Sequence, residues 1–141
     1  MQVFTYPCRF ARAAEGGFVV TCRDVPEVVT QGDSLDEAML EAADALDEAL
    51  QGRIDDGEDI PVATAARPGE RLIALPVGTA LKLAAYTAIR KAGISKSERA
   101  RRLGLDEKKI RRALDPRHPT KAARLENVLH VLGHRVDVAV V

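Results

Sequence analysis

The stretch Val28-Val29-Thr30-Gln31-Gly32-Asp33-Ser34-Leu35-Asp36-Glu37-Ala38 decides the fold of the N-terminal half, because a strand pattern gives way to a helix pattern within it. Val28 to Gln31 predict a short strand, since β-branched residues favour extended backbone. Gly32-Asp33-Ser34 ends the strand and begins a helix. Ser34 and Glu37 have the spacing of a capping box, in which the two side chains satisfy unpaired backbone N–H groups at a helix start.

The helix that follows is predicted to be amphipathic, because apolar residues recur at steps of three and four. Its apolar stripe consists of Leu35, Met39, Ala42, Leu46 and Leu50. A second face carries Glu37, Glu41, Asp44 and Glu48, widened by Asp36 and Asp47. For any single carboxylate, a solvated exterior that keeps the protein soluble is the favoured interpretation. We expect Gly52 and Gly57 to end the helix.

Two further strands are predicted before this stretch and one after it. Residues 2–12 and 18–22 flank the turn-forming Glu15-Gly16-Gly17, and residues 71–75 form the last strand. The N-terminal unit therefore has the order β-β-β-α-β, and we assign it to residues 1–76. The hairpin places Cys8 opposite Cys22, as a disulfide or redox pair or as two small buried side chains. A reducing cytoplasm favours the buried side chains.

Residues 77–141 have a helical pattern, so the chain as a whole is predicted to be α+β. Helices are expected in residues 79–93, 95–103, 106–114 and 120–132. At the C-terminus, Val136, Val138 and Val140 alternate with Asp137 and Ala139, which predicts a short strand. An isolated strand exposes an unpaired edge. We therefore expect these three valines to pair with a second copy as a dimer contact; the rival interpretation is that the strand folds back onto its own sheet.

The net charge of zero is the sum of two opposite halves. Residues 1–70 contain 5 Lys and Arg against 15 Asp and Glu, a net charge of −10. Residues 71–141 contain 16 against 6, a net charge of +10. Such a split indicates two surfaces with different partners. The basic half favours nucleic acid and the acidic half favours a basic protein.

Residues 95–114 resemble the helix-turn-helix of Xre/Cro-like repressors. Ala100 provides the small residue where two helices cross, and Gly104 permits the tight turn. Arg99 departs from the pattern, and we expect its guanidinium to reach water or phosphate. The candidate DNA-binding residues are Ser95, Lys96, Lys108, Lys109, Arg111, Arg112, Arg117 and Lys121. The alternative is a plain helical bundle with a solvated basic face.

The N-terminal half resembles the HicB antitoxin family. The resemblance rests on Gly17-Phe18-Val19-Val20, on Asp24-Val25-Pro26-Glu27 and most specifically on residues 30–38, and it continues to about residue 62. It implies a partial RNase H-like fold without nuclease activity. It also implies that the N-terminal unit masks a HicA-type mRNA-cleaving toxin, and that the C-terminal unit represses the operon by binding operator double-stranded DNA. The candidate toxin contacts are Asp24, Glu27, Glu37, Glu41, Asp44 and Glu48.

Other functional classes are poorly supported by the sequence. No segment approaches the roughly 20 apolar residues of a membrane span and no signal peptide is evident, so we expect a cytoplasmic protein with no membrane partner. His130 and His134 lack further ligands at zinc-binding spacing, the first strand has no acid for two-metal nuclease chemistry, and we expect no catalytic residues, metal or cofactor. The alternative function is a transcription regulator whose N-terminal unit senses a small molecule or another protein.

Overall fold

A computed structural model describes residues 1–141 as a four-stranded sheet and five helices. In chain order the elements are β1 (Thr5–Arg12), β2 (Phe18–Cys22), β3 (Val29–Gly32), α1 (Leu35–Asp55), β4 (Glu70–Ala74), α2 (Val77–Ala92), α3 (Lys96–Leu103), α4 (Glu107–Leu114) and α5 (Ala122–Val131). The predicted α+β class and the β-β-β-α-β order are confirmed.

The sheet is antiparallel throughout, with the strand order β3-β2-β1-β4. α1 covers one face through Ala38, Ala42, Leu46 and Leu50, all fully buried. Cys8 lies directly opposite Cys22, as the predicted hairpin requires. Both thiols are free and buried, which matches the interpretation of two small core side chains.

α1 is one turn longer than the sequence predicts. Gly52 does not end the helix but lies inside it, and the backbone N–H of the capping residue Asp56 donates to the Gly52 carbonyl at 3.0 Å. Gly57, with φ of 68°, follows the cap and adopts the left-handed conformation. The last turn persists because Arg53 pairs with Glu27 at 2.8 Å, and this long-range contact outweighs the low helix propensity of one glycine.

α2 contributes to two hydrophobic cores at once. Leu83 and Tyr86 pack in the core between the sheet and α1, whereas Ala85, Ala88 and Ile89 pack in a second core with α3, α4 and α5. The Tyr86 hydroxyl also donates to the Glu58 carbonyl at 2.8 Å. α2 therefore packs against both the β-rich unit and the helical unit, in addition to linking them along the chain.

The predicted C-terminal strand is not formed in the single chain. Residues 135–141 make no backbone–backbone hydrogen bond, because both edges of the sheet lie elsewhere and no strand is available beside them. Val136 is half-buried against the second core, while Val138 is 74% and Val140 96% exposed. The rival interpretation, in which the tail pairs with its own sheet, is wrong for this chain. None of the helices is long and apolar enough to cross a lipid bilayer.

Candidate functional site

The acidic face of α1 begins at a well-formed helix cap. The Glu37 backbone N–H donates to Ser34 Oγ at 3.1 Å, and Glu37 Oε2 accepts from the Asp33 N–H at 3.0 Å. The predicted cap is therefore present, with the return bond going to Asp33 instead of Ser34. Asp36, Glu37, Glu41, Asp44 and Glu48 are all exposed. Leu40 lies among these carboxylates with 69% of its surface exposed, so the face offers apolar contact area as well as charge.

Asp24 is held by internal hydrogen bonds. Its carboxylate accepts from the Thr64 backbone N–H at 2.8 Å and from the Thr64 hydroxyl, and its side chain is only 9% exposed. Arg23 beside it donates to Thr64 and pairs with Glu70 at 2.8 Å. These bonds tie the long 61–69 loop to the end of β2. The structure therefore gives Asp24 a role in the fold and separates it from the acidic face of α1.

Glu27 lies at the edge of a groove beside the C-terminal half of α1. Arg53 binds its two carboxylate oxygens at 2.8 and 2.9 Å and lowers the pKa of Glu27. The groove has a volume of about 930 Å³ and is lined by Val28, Val29, Ala45 and Ala49, by Asp44, Asp47, Glu48 and Asp55, and by Pro116 and Arg117 from the loop after α4. It brings together Glu27, Asp44 and Glu48, whereas Glu37 and Glu41 lie outside it on the N-terminal half of the helix.

α3 and α4 are two short helices joined by a tight turn, at the positions where the sequence predicts two helices. Ser95 Oγ accepts from the Glu98 N–H at 3.1 Å, and Asp106 caps α4 by accepting from the Lys109 N–H at 2.8 Å. Gly104 ends α3 with φ of 65°, in the left-handed region that suits glycine. Ile110 is 2% exposed and holds α4 against the second core.

The Arg99 guanidinium pairs with a carboxylate of the next helix, where the sequence led us to expect water or phosphate. Its guanidinium binds both carboxylate oxygens of Glu107, the first residue of α4. The pair is largely buried, with exposed fractions of 19% and 23%, and Arg99 lowers the pKa of Glu107. A forked ion pair fixes direction as well as distance, so it sets how α4 lies on α3.

The exposed cations of this unit differ in how many partners they already have. Lys96, Lys108, Lys109, Arg111, Arg112 and Lys121 are exposed and form no salt bridge. Lys108 and Arg112 lie one turn apart on the side of α4 opposite Ile110. Ser95 is used as a cap, and Arg117 pairs with Asp115 at 3.0 Å and with Asp55 at 3.6 Å. The free cations therefore concentrate on and around α4.

Comparison with known proteins identifies the family. A family model described as "HicB_like antitoxin of bacterial toxin-antitoxin system" matches residues 5–84. A Pseudomonas fluorescens protein named Antitoxin HicB is 34% identical over 126 residues, covering 89% of this chain and 86% of the relative. The protein of that name from Escherichia coli K12 is 32% identical over 136 residues, covering 96% of this chain and 99% of the relative.

The chain belongs to the HicB-like antitoxin family. It is therefore an antitoxin of a toxin–antitoxin system, a regulatory protein and not an enzyme, and the family implies a toxin as its partner.

One functionally placed residue of this antitoxin was missed at the sequence level. Lys82 is only 6% exposed, and its ammonium group donates to the carbonyls of Asp115 at 2.7 Å and His118 at 2.6 Å. Burial lowers the pKa of Lys82, and the nearby Asp115 carboxylate opposes that shift. The sequence does contain a signal, because Lys82 falls on the helical face of Ala85, Tyr86 and Ile89. Lys82 anchors the loop that carries Arg117.

Proposed function

We propose that the N-terminal unit of this antitoxin binds and masks a HicA-type mRNA-cleaving toxin, and that the helix-turn-helix represses the toxin–antitoxin operon in the cytoplasm. The observation that carries the proposal is the separation of charge between α1, with five exposed carboxylates that lack salt bridges, and α4, with four exposed cations that lack salt bridges. A protein that cleaves RNA must attract phosphates and is expected to be basic. An acidic helix face is complementary to such a protein, and a basic helix face is complementary to DNA.

On the toxin side, the exposed carboxylates Glu37, Glu41, Asp44 and Glu48 are the proposed contacts, with Glu27 at their edge. Asp24 supports the surface by holding the 61–69 loop. Exposed complementary charges speed the encounter of two proteins more than they slow its reversal. Reversing the charge of Glu41 should therefore lower the association rate constant with little change in the dissociation rate constant.

On the DNA side, the proposed contacts are Lys108, Lys109, Arg111 and Arg112 on α4, supported by Lys96 and Lys121. Ser95 contributes as the cap of α3, whose first turn is expected to lie against the phosphate backbone. A single helix-turn-helix covers one half-site, so the repressor is proposed to bind as a homodimer or a higher oligomer. Val138 and Val140, with the half-buried Val136, are the proposed dimer contact.

The test separates the two activities with one truncation. We assign toxin binding to residues 1–76 and DNA binding with dimerisation to residues 77–141. Because Leu83 and Tyr86 complete the first core, the fragment to purify is residues 1–92. This fragment should bind the toxin of the same operon and block RNA cleavage, but leave operator DNA unbound. A folded fragment that fails to inhibit the toxin would refute this division.

A further inference from the structure

The groove beside α1 combines apolar lining residues with carboxylates that have no cationic partner. The apolar lining consists of Val28, Val29, Ala45 and Ala49. Asp44 and Glu48, one helical turn apart, form no salt bridge, whereas Glu27 and Asp55 at the same groove are each paired with an arginine. A groove of about 930 Å³ is large enough for several side chains of a partner.

A guanidinium group already lies at this groove. Arg117 comes from the loop after α4 and reaches Asp55 of α1, 62 positions earlier in the chain, with 3.6 Å between Nη2 and Oδ1. Its backbone N–H and its Nε both donate to Asp115 Oδ1, at 2.9 and 3.0 Å. The chain therefore places a cation of its own at the groove, beside Asp55.

A buried lysine anchors the loop that carries Arg117. The buried Lys82 donates to the carbonyls on either side of it, at Asp115 and His118. The loop is thus anchored by two hydrogen bonds, whereas the Arg117 side chain is 78% exposed and its partner Asp55 is 43% exposed. Ion pairs this exposed contribute little free energy, so removal of the Arg117 side chain should change the charge of the groove without unfolding the loop.

We propose that this groove binds an arginine or lysine side chain of the toxin at Asp44 and Glu48, with apolar residues of the toxin against its valine and alanine lining. Arg117, which pairs with Asp55 at the same groove, opposes that binding because it carries the same charge. The inference rests on the proposed function and deepens it. It places the specific contact at Asp44 and Glu48, and leaves the N-terminal part of the helix to attract the toxin at longer range. A buried charge pair at an interface acts mainly on dissociation.

The first experiment compares two double variants of the full chain for binding to the purified HicA-type toxin of the same operon. Asp44→Asn with Glu48→Gln removes the unpaired groove carboxylates. Asp36→Asn with Asp56→Asn makes the same charge change on the same helix and its C-terminal cap, at exposed positions outside the groove. We expect the groove variant to dissociate about 10-fold faster, and the control variant to dissociate at the wild-type rate while associating more slowly.

The second experiment removes the internal cation. Arg117→Ala should tighten toxin binding by roughly 2- to 5-fold, because the toxin's cation no longer meets a like charge at the groove. Arg124→Ala removes an exposed cation that has no salt bridge, and should leave the affinity unchanged at a salt concentration that screens distant charges. Weaker binding by Arg117→Ala would overturn the role of Arg117 as a charge that repels the toxin.

The outcomes separate this inference from the proposed function. One outcome is that wild type binds the toxin, while the groove variant is folded by circular dichroism and dissociates from the toxin at the wild-type rate. In that case the toxin's cation does not bind in the groove, although the antitoxin function stands. If wild type does not bind the toxin at all, the proposed function fails and the inference fails with it.

Discussion

Gly32 at the end of β3 and Ala38 in the first turn of α1 meet backbone to backbone. A Cβ atom on Gly32 would lie 2.4 Å from the Ala38 nitrogen and 2.7 Å from its Cα. No other residue fits here without moving the helix, because neither neighbouring atom belongs to a flexible side chain. This contact positions the acidic face of α1 relative to the sheet, so the predicted toxin surface depends on a glycine that touches no partner.

Gly32→Ala should destabilise the protein by about 3 kcal/mol, at the upper end of the cost of overpacking. Gly52→Ala is the matched control, since Gly52 lies inside α1 and a Cβ atom added there would have no neighbour within 4 Å. It should stabilise the protein by about 0.5–1 kcal/mol because alanine favours helix. Urea unfolding of both variants measures the difference, and equal stabilities would contradict the close approach.

Local patterns predicted the local structure well. The cap at Ser34, the hairpin that pairs Cys8 with Cys22 and the turn at Gly104 are all found where the sequence places them. Each depends on residues close together in the chain or on one hairpin, where spacing determines geometry. The family resemblance, drawn from residues 17–38, is confirmed by relatives that span nearly the whole chain.

Contacts between distant residues could not be predicted in the same way. Lys82 and Asp115 are 33 positions apart, and Arg23 and Glu70 are 47 apart. No periodicity pairs such residues, because their contact depends on how the elements pack. For the same reason the sequence did not predict that Arg99 pairs with Glu107. It also did not predict that α1 continues through Gly52, which the contact between Arg53 and Glu27 supports.

Operator binding should depend most on the side of α4 opposite Ile110. Lys108→Ala and Arg112→Ala should each lose about 1–3 kcal/mol where the side chain contacts a base edge, and less where it contacts phosphate. Arg111→Ala, on the flank, should follow the same direction. Arg71→Ala removes an exposed cation in the N-terminal unit and should bind normally. Footprinting on the gene's own promoter at several salt concentrations provides the measurement, and salt-insensitive binding would contradict the assignment.

Acid should destabilise α3 and α4 over a defined range of pH. Arg101 and Arg102 lower the pKa of Glu98 from 4.5 to about 2. A carboxylate whose pKa is lower in the folded state stabilises that state above its unfolded pKa. Its contribution is therefore complete above pH 4.5 and is lost as the pH falls towards 2. Glu98→Gln should flatten this part of the curve of helicity against pH, and an unchanged curve would show that the ion pairs do not persist in solution.

The buried Lys82 should matter more for stability than any exposed lysine of α2. Lys82→Ala leaves the carbonyls of Asp115 and His118 without their donor and opens a cavity, at a cost of about 2–3 kcal/mol. Lys91→Ala, on the exposed end of the same helix, should change the free energy of unfolding by less than about 0.5 kcal/mol. Thermal unfolding compares the two, and similar midpoints would contradict the anchoring role of Lys82.

The exposed C-terminal tail should hold two copies of the protein together. Residues 135–141 have no backbone partner within the chain, and Val138 and Val140 are both exposed. In a paired strand these two valines would face the same side. Pairing with its own copy across a two-fold axis would satisfy the backbone and cover both valines, since such an interface is self-complementary.

A dimer is also what an operator with two half-sites about 34 Å apart, one turn of DNA, requires. Val138→Asp with Val140→Asp should therefore give a monomer by light scattering and weaken binding to a palindromic operator. Ala139→Asp, on the other side of the segment, should remain dimeric. A double variant that stays dimeric and binds the palindrome with full affinity would exclude the tail as the dimer contact.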